Sequence, residues 1–428
     1  MNTKNLRWVI VGLVAIATVI NYIDRNALAV MWPQISEELG MTKNDYALIL
    51  TFFMVGYALG QSLFGKIFDL IGTRLGFVLA IVVWSLSIML HAVVRGVVGL
   101  GLVRFGLAVG EAGNWPGATK ANAEWFPINE RALAQGIFNA GASVGAVVSA
   151  PLIAWLYVFL GWKGTFVAIG VLGIVWLLPW LLVYKAPPDR HPWLSEEERA
   201  YILSGQKADT TASQDDQAAP GWLEMLRYRQ SWAVIAARFF LDPVWWLFVS
   251  WLPIYLADQF GFDIKQIGMF AWVPYVGAAL GAVFGGWLAG YLIKNGRTIN
   301  YARKHTITLG GAIMLPSLIA TAYAATPLVA VLLIAVILFG FQLAIGNIQT
   351  LPSDYFSGKS VGSLAGVSGT AAVSGVLITT WLVPAITQTS YVPFFVLGAA
   401  LVPLAVGAVW LFGGTIGPLT AKPTTHLP

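Results

Sequence analysis

Four ionisable side chains lie where a polypeptide can least accommodate charge. Asp24 and Arg25 stand side by side in an apolar run from Trp8 to Met31, and Arg104 and Glu111 occupy a second run, seven positions apart. A charge near the middle of a bilayer costs on the order of 3 kcal/mol on insertion scales, so such residues are functional unless they only pair with one another inside a bundle. Seven steps of about 100° return a helix to within roughly 20° of its start. Arg104 and Glu111 therefore share one face, roughly 10 Å apart along the axis. That is too far for one to neutralise the other, and each needs a partner from another helix or from a ligand. Consecutive Asp24 and Arg25 diverge by about 100° and cannot both face one partner. The chemistry these types suit is anion binding linked to proton exchange. Arg25, planar and permanently charged, can hold a carboxylate through two parallel hydrogen bonds. Glu111 is suited to hold Arg25 when no anion is bound, and Arg104 to partner Asp24. Asp24 and Glu111 are the candidate proton carriers, since a low-dielectric cavity disfavours the charged form of a carboxyl.

The elements that must position these residues are membrane-spanning helices. The chain is 57% hydrophobic and 11% charged, with a mean hydropathy of +0.73, against about 25% charged residues in soluble domains. A hydrocarbon core of about 30 Å needs about 20 residues of helix. Runs of that length fall at 8–31, 46–66, 74–95, 98–118, 133–156 and 162–184, then at 230–256, 267–293, 305–324, 327–350, 361–385 and 391–412. The expected fold is an all-α polytopic membrane protein with 12 transmembrane helices in two six-helix halves, residues 1–184 and 230–428, joined by a cytoplasmic loop at 185–229. An even count places both termini on one side. That side carries 18 Lys and Arg, whereas the opposite loops carry four, Lys43, Arg95, Lys163 and Lys265, so the termini are expected in the cytoplasm. The first run imitates a cleaved signal peptide, with Lys4 and Arg7 before it and Ala27-Leu28-Ala29 near its end. Asp24 and Arg25 would interrupt the apolar region just before the cut, which argues for retention. In the central loop, Ser195 and Glu198 predict a helix start with a capping box. The Asp, Thr, Ser, Gln and Ala that follow Gln206 read as a flexible tether.

Several function classes are disfavoured. The net charge of +5 is spread along the chain without a basic run, so it reads as topology and not as a nucleic-acid surface. With no Cys there is no disulfide, thiol nucleophile or thiolate metal site, and the four His are scattered. No phosphate-cradling loop or nucleophile set stands out, which argues against an enzyme and implies no cofactor.

The two halves echo each other. Gly65-Lys66-Ile67-Phe68-Asp69-Leu70-Ile71-Gly72-Thr73-Arg74, between the second and third runs, resembles the G-x-x-x-D-x-x-G-x-R/K signature of the major facilitator superfamily. The matching segment of the second half keeps Gly286, Gly296 and Arg297 but has Gly290 in place of the Asp. The run Arg104 to Ala112, then Pro116, Trp125-Phe126-Pro127 and Glu130-Arg131, resembles the anion:cation symporter family when taken with Asp24-Arg25. Ala237 to Trp246 and Leu351 to Phe356 are most similar to its hexuronate transporters. The resemblance implies a midplane site between two halves, a multi-pass protein of a bacterial inner membrane, and import of galacturonate or glucuronate with protons. Its partners would be a sugar-acid anion, protons and membrane lipids, for a monomer without nucleic acid. It also implies coupling through Asp24 and Glu111 and gating through Asp69 and Arg74. Another carboxylate, such as galactonate, glucarate or an aromatic acid, and coupling by sodium remain alternatives.

Other polar residues in the spans are candidates for sugar hydroxyls: Tyr22 on the first helix, Asn139 and Ser143 on one face of the fifth, and Gln342, Asn347 and Gln349 on the tenth. Arg104 joins them as a further substrate contact. Arg238 and Asp242 are four apart, a spacing that allows a direct pair on the helix surface with a gating or structural role. Trp245, Trp246 and Trp251 are possible stacking surfaces, and His91 is expected to satisfy a local hydrogen bond.

Overall fold

A computed structural model describes residues 5–212, 222–356 and 359–417. Among them every regular element is helical. In chain order these are α1 (Leu6–Leu39), α2 (Lys43–Leu90), α3 (Val97–Ala112), α4 (Asn114–Trp125), α5 (Ile128–Val183), a 3-10 turn (Pro188–Arg190), α6 (Glu196–Ala212), α7 (Trp222–Met225), α8 (Arg229–Phe260), α9 (Ile264–Phe270), α10 (Val273–Lys294), α11 (Ile299–Ala322), α12 (Pro327–Ile348), α13 (Leu351–Tyr355), α14 (Lys359–Ile386) and α15 (Val392–Phe412). Ten stretches of the described residues are long and apolar enough to cross a membrane. One of them, Gly136–Val183, contains two spans, because Gly161 at φ 62° interrupts the helical backbone. The stretch 97–125, which carries Arg104 and Glu111, completes the twelve.

Boundaries differ from the sequence reading where glycine and proline act. The expected loop between the second and third spans is a single turn at Gly72 (φ 77°), a left-handed conformation that favours a residue without Cβ. The expected span 267–293 is divided into α9 and α10 just before Pro274, because proline offers no backbone N–H and restricts the residue that precedes it. Two helix starts are fixed by reciprocal capping boxes, Thr42 with Asp45 at α2 and Asp263 with Gln266 at α9.

Contacts divide the chain into two units, Met1–Ala212 with Leu256–Trp272, and Ser213–Tyr255 with Val273–Pro428. In the first, α1 lies along α5 and α2 along α3. The α1–α5 contact is close because α5 presents glycine. A Cβ on Gly145 would stand 2.7 Å from the Val19 carbonyl oxygen and 2.8 Å from the Tyr22 Cβ. Gly145→Val is therefore expected to cost about 1–3 kcal/mol through overpacking, read as a lower unfolding midpoint in detergent.

The central segment is more than a tether. The helix expected at Ser195 is present and continues to Ala212, past the Gln206 boundary read from composition; residues 213–221 lie outside the described residues. Only half of the expected capping box forms: the Glu198 N–H donates to Ser195 Oγ at 3.3 Å. The Glu198 carboxylate instead accepts from the Leu6 and Arg7 N–H groups, at 3.2 and 3.4 Å, and from Arg7 Nη1 at 2.7 Å. It thus supplies the acceptors that the first turn of α1 lacks. Arg7 Nε also donates to Glu130 on α5 at 2.9 Å. Glu198→Ala should destabilise the protein by about 2 kcal/mol, and Glu198→Gln, which keeps an acceptor, by less; thermal unfolding of both variants measures the difference.

In the second unit, α12 packs against α10 and α11, and α11 against α15. Arg303 on α11 donates to Asp354 on α13 at 2.8 Å and to Asn347 on α12 at 3.0 Å. Trp251 is buried, and Trp245 stacks on Phe341 with ring centroids 5.5 Å apart. Here the candidate stacking surface Trp245 already has an aromatic partner.

Candidate functional site

α1 and α3 bring the four intramembrane charges together. Asp24 and Glu111 have no exposed surface, and Arg104 and Arg25 are 2% and 7% exposed. Arg25 turns toward α3, where its Nε donates to Glu111 Oε2 at 3.1 Å and its Nη2 lies 3.1 Å from the same oxygen. The pairing expected from the sequence is therefore a direct, buried ion pair. Asn21, one helical turn before Arg25, holds both members: its Oδ1 accepts from Arg25 Nη2 at 3.2 Å and its Nδ2 donates to the Glu111 carbonyl at 3.3 Å.

Aromatic rings surround the guanidinium. Its Cζ lies 5.1 Å from the ring centre of Tyr22, 4.9 Å from that of Tyr57 and 5.6 Å from that of Phe53. Phe53 also lies 4.9 Å from Arg104 Cζ, so one ring serves two cations. Rings attract a desolvated guanidinium by about 1–2 kcal/mol each. Tyr57 and Phe53 were not candidates in the sequence. Their spacing of four in an apolar helix reads as ordinary core, and only their placement opposite Arg25 distinguishes them.

Arg104 takes a different role from the one its position suggested. Its Nη2 donates to the Arg25 carbonyl at 2.6 Å and its Nη1 to the Asp24 carbonyl at 3.5 Å, so it grips the main chain of α1 and not the Asp24 carboxylate. Both Asp24 oxygens are buried without a hydrogen-bond partner among the described residues. The physical reason is reach: Arg104 approaches from α3 toward the backbone edge of α1, and the Asp24 side chain leaves α1 in another direction.

The other candidates are less concentrated. Tyr22 is half-buried beside Arg25; on α5, Ser143 is half-buried and Asn139 exposed. Gln342 is half-buried and Gln349 exposed. Asn347 is buried and committed, with Nδ2 donating to the Leu343 carbonyl at 3.0 Å and Oδ1 accepting from Arg303. Arg238 pairs with Asp242 at 2.8 Å and reaches Ser368 on α14 at 3.4 Å. Arg74 Nη2 donates to the Leu181 carbonyl at 3.1 Å; the Asp69 side chain lies outside the described residues. His91 Nδ1 sits 2.9 Å from the Ser87 carbonyl.

Apolar spans that hold a buried arginine and glutamate against each other suit a membrane transporter, and sequence comparison places the chain in a family of them. The Major Facilitator Superfamily model matches residues 14–380, and the chain belongs to that superfamily: it is a multi-pass transporter and not an enzyme. It is 33% identical to the "Hexuronate transporter" of Escherichia coli (strain K12), over 95% of this chain and 94% of that protein. It is 37% identical to the "Galacturonate transporter" of Dickeya chrysanthemi, over 73% of this chain and 90% of that protein. Among solved structures, a bacterial homologue of the human lysosomal transporter Spinster, in an inward-facing and occupied conformation, matches with a TM-score of 0.72 at 19% identity, covering 95% of each chain. That likeness establishes the major facilitator fold.

Proposed function

We propose that the protein imports an organic anion, a hexuronate such as galacturonate or glucuronate, by proton symport. The observation that carries this reading is the buried Arg25–Glu111 pair inside its aromatic surround. An arginine held by a carboxylate that can be neutralised is a carboxylate site with its own release mechanism. Protonation of Glu111 frees the Arg25 donors, and the substrate carboxylate takes them through two parallel hydrogen bonds. The neutralised site then passes between outward-open and inward-open states, as alternating access requires. On the inner side, proton and substrate leave and the ion pair re-forms. Asp24 is the second proton carrier, since a bare carboxylate without hydrogen-bond partners is costly in a dry interior and a carboxylic acid is much less so. Tyr22, Asn139, Ser143, Gln342 and Gln349 are assigned to sugar hydroxyls. Arg104 supports the site through the main chain. Asp69, Arg74, Arg238 and Asp242 are assigned to gating or structure.

The similarity to proteins named as hexuronate and galacturonate transporters supports the substrate class. On this reading the protein works as a monomer in the inner membrane of a bacterium, with both termini cytoplasmic. Residues 1–184 and 230–428 form its two halves, and residues 185–229 lie on the cytoplasmic side. A second reading, an aldonate substrate, follows from 32% identity to the "Probable L-galactonate transporter" of Escherichia coli (strain K12), over 80% of this chain and 74% of that protein.

The two readings separate in liposomes, by competition of galacturonate, glucuronate, galactonate and glucarate against a labelled hexuronate. Uptake of the hexuronate, inhibited best by other hexuronates, is expected. Uptake of galactonate or glucarate alone would keep the site and replace the substrate.

A further inference from the structure

The proton carried by Glu111 needs a hydrogen-bond acceptor of its own, and α4 holds one that has no partner among the described residues. Asn114 opens α4 three residues after Glu111, and both residues are fully buried. Glu111 Oε2 is taken by Arg25, while Oε1 has no partner among the described residues. Asn114 Nδ2 donates to Thr18 Oγ1 at 3.0 Å, and the Thr18 hydroxyl donates in turn to the Val14 carbonyl at 3.0 Å. With its proton spent on Val14, Thr18 can only accept, which fixes the amide orientation and leaves Asn114 Oδ1 as the free end. That oxygen is also buried and without a partner among the described residues. Gly113, which joins α3 to α4, keeps helical dihedrals of φ −66° and ψ −21°, and residues three apart on a helical backbone are neighbours, with Cβ atoms about 5–6 Å apart. Two leftover acceptors on adjacent turns are costly in a dry interior. A single proton placed between them satisfies both.

We propose that Asn114 is a positioning residue for the coupling proton: its Oδ1 accepts the O–H of protonated Glu111 and holds that acid away from Arg25 while the substrate occupies the guanidinium. Thr18 orients the amide. Asn21 keeps Arg25 in register during the exchange through its Oδ1 contact with Nη2. The inference rests on the proton-symport reading and adds to it the group that stabilises the loaded state. The charged and titratable groups around Glu111 are Arg25, Asp24 and Tyr22 from α1 and Arg104 from α3 itself. From α2, Tyr57 faces Arg25. The ionisable residues of α4, Lys120 and Glu124, are engaged farther along that helix by the Phe68 carbonyl and Thr73.

The test is the pH profile of hexuronate uptake into liposomes for the unaltered protein, Asn114→Ala, Thr18→Val and Glu111→Gln. Loss of the acceptor makes the protonated state about tenfold less favourable, so Asn114→Ala should move the profile midpoint about one pH unit to the acid side, with uptake recovering at lower pH. Thr18→Val should move it the same way by less, and it keeps the test open if Asn114→Ala does not fold. An unshifted midpoint in Asn114→Ala, or in Thr18→Val where alanine does not fold, together with a flat profile in Glu111→Gln, overturns the role of Asn114 and leaves the symport reading standing. A Glu111→Gln profile identical to that of the unaltered protein overturns the assignment of the coupling proton to Glu111, and the role of Asn114 with it.

Discussion

Replacing Arg25 by alanine is expected to reduce hexuronate uptake by at least about 100-fold, since a desolvated bidentate arginine–carboxylate contact is worth about 2–5 kcal/mol. Arg104 is not placed to take over, because its Nη1 and Nη2 donate to the Asp24 and Arg25 carbonyls. Arg25→Lys should fail nearly as badly, as an ammonium cannot reproduce the planar fork. Arg25→Ala also strands Glu111 without its ion-pair partner, which by itself costs about 3–5 kcal/mol. The double variant Arg25→Ala with Glu111→Gln removes that second effect. It should fold better than Arg25→Ala and still bind no substrate, measured by thermal unfolding beside equilibrium binding in detergent. Binding restored in the double variant would show that Arg25 is structural.

Glu111→Gln is expected to separate binding from coupling. Glutamine keeps the size of the side chain and an acceptor oxygen for Arg25 but cannot exchange a proton, so the site stays permanently in its neutral form. Exchange of external for internal substrate, which needs no net proton movement, should stay within about tenfold of the unaltered protein, while accumulation driven by a pH gradient should fall by about 100-fold or more. Loss of both activities alike would make Glu111 a binding or structural residue. Retention of both would remove it from the mechanism.

Much of this could be read from the chain before its fold was known, and the reason is physical. The bilayer makes apolar length a direct measure of a span, and an ionisable residue inside such a run stands out against its surroundings. Arg25, Glu111, Asp24 and Arg104 were therefore visible, as was the half-buried pair Arg238–Asp242 at its spacing of four. Direction in space was not. Arg104 was expected on the Asp24 carboxylate and lies on the carbonyls beside it. The roles of Tyr57, Phe53 and Asn114 depend on what faces them across a helix contact, a matter of rotation about the helix axis that single-helix periodicity does not determine. Glu198 was read as a local cap, and it also caps the start of a helix 192 residues away in the chain. Asn347, read as a ligand for sugar hydroxyls, is occupied by Arg303 and its own helix. A buried asparagine serves either purpose equally well.

Substrate-driven proton movement tests the exchange at Arg25 and Glu111 most directly. Purified protein in liposomes at equal pH on both sides should make the outer medium more alkaline when galacturonate or glucuronate is added, and Glu111→Gln should abolish the change while substrate exchange continues. Hexuronate uptake without any alkalinisation would contradict proton coupling through this pair.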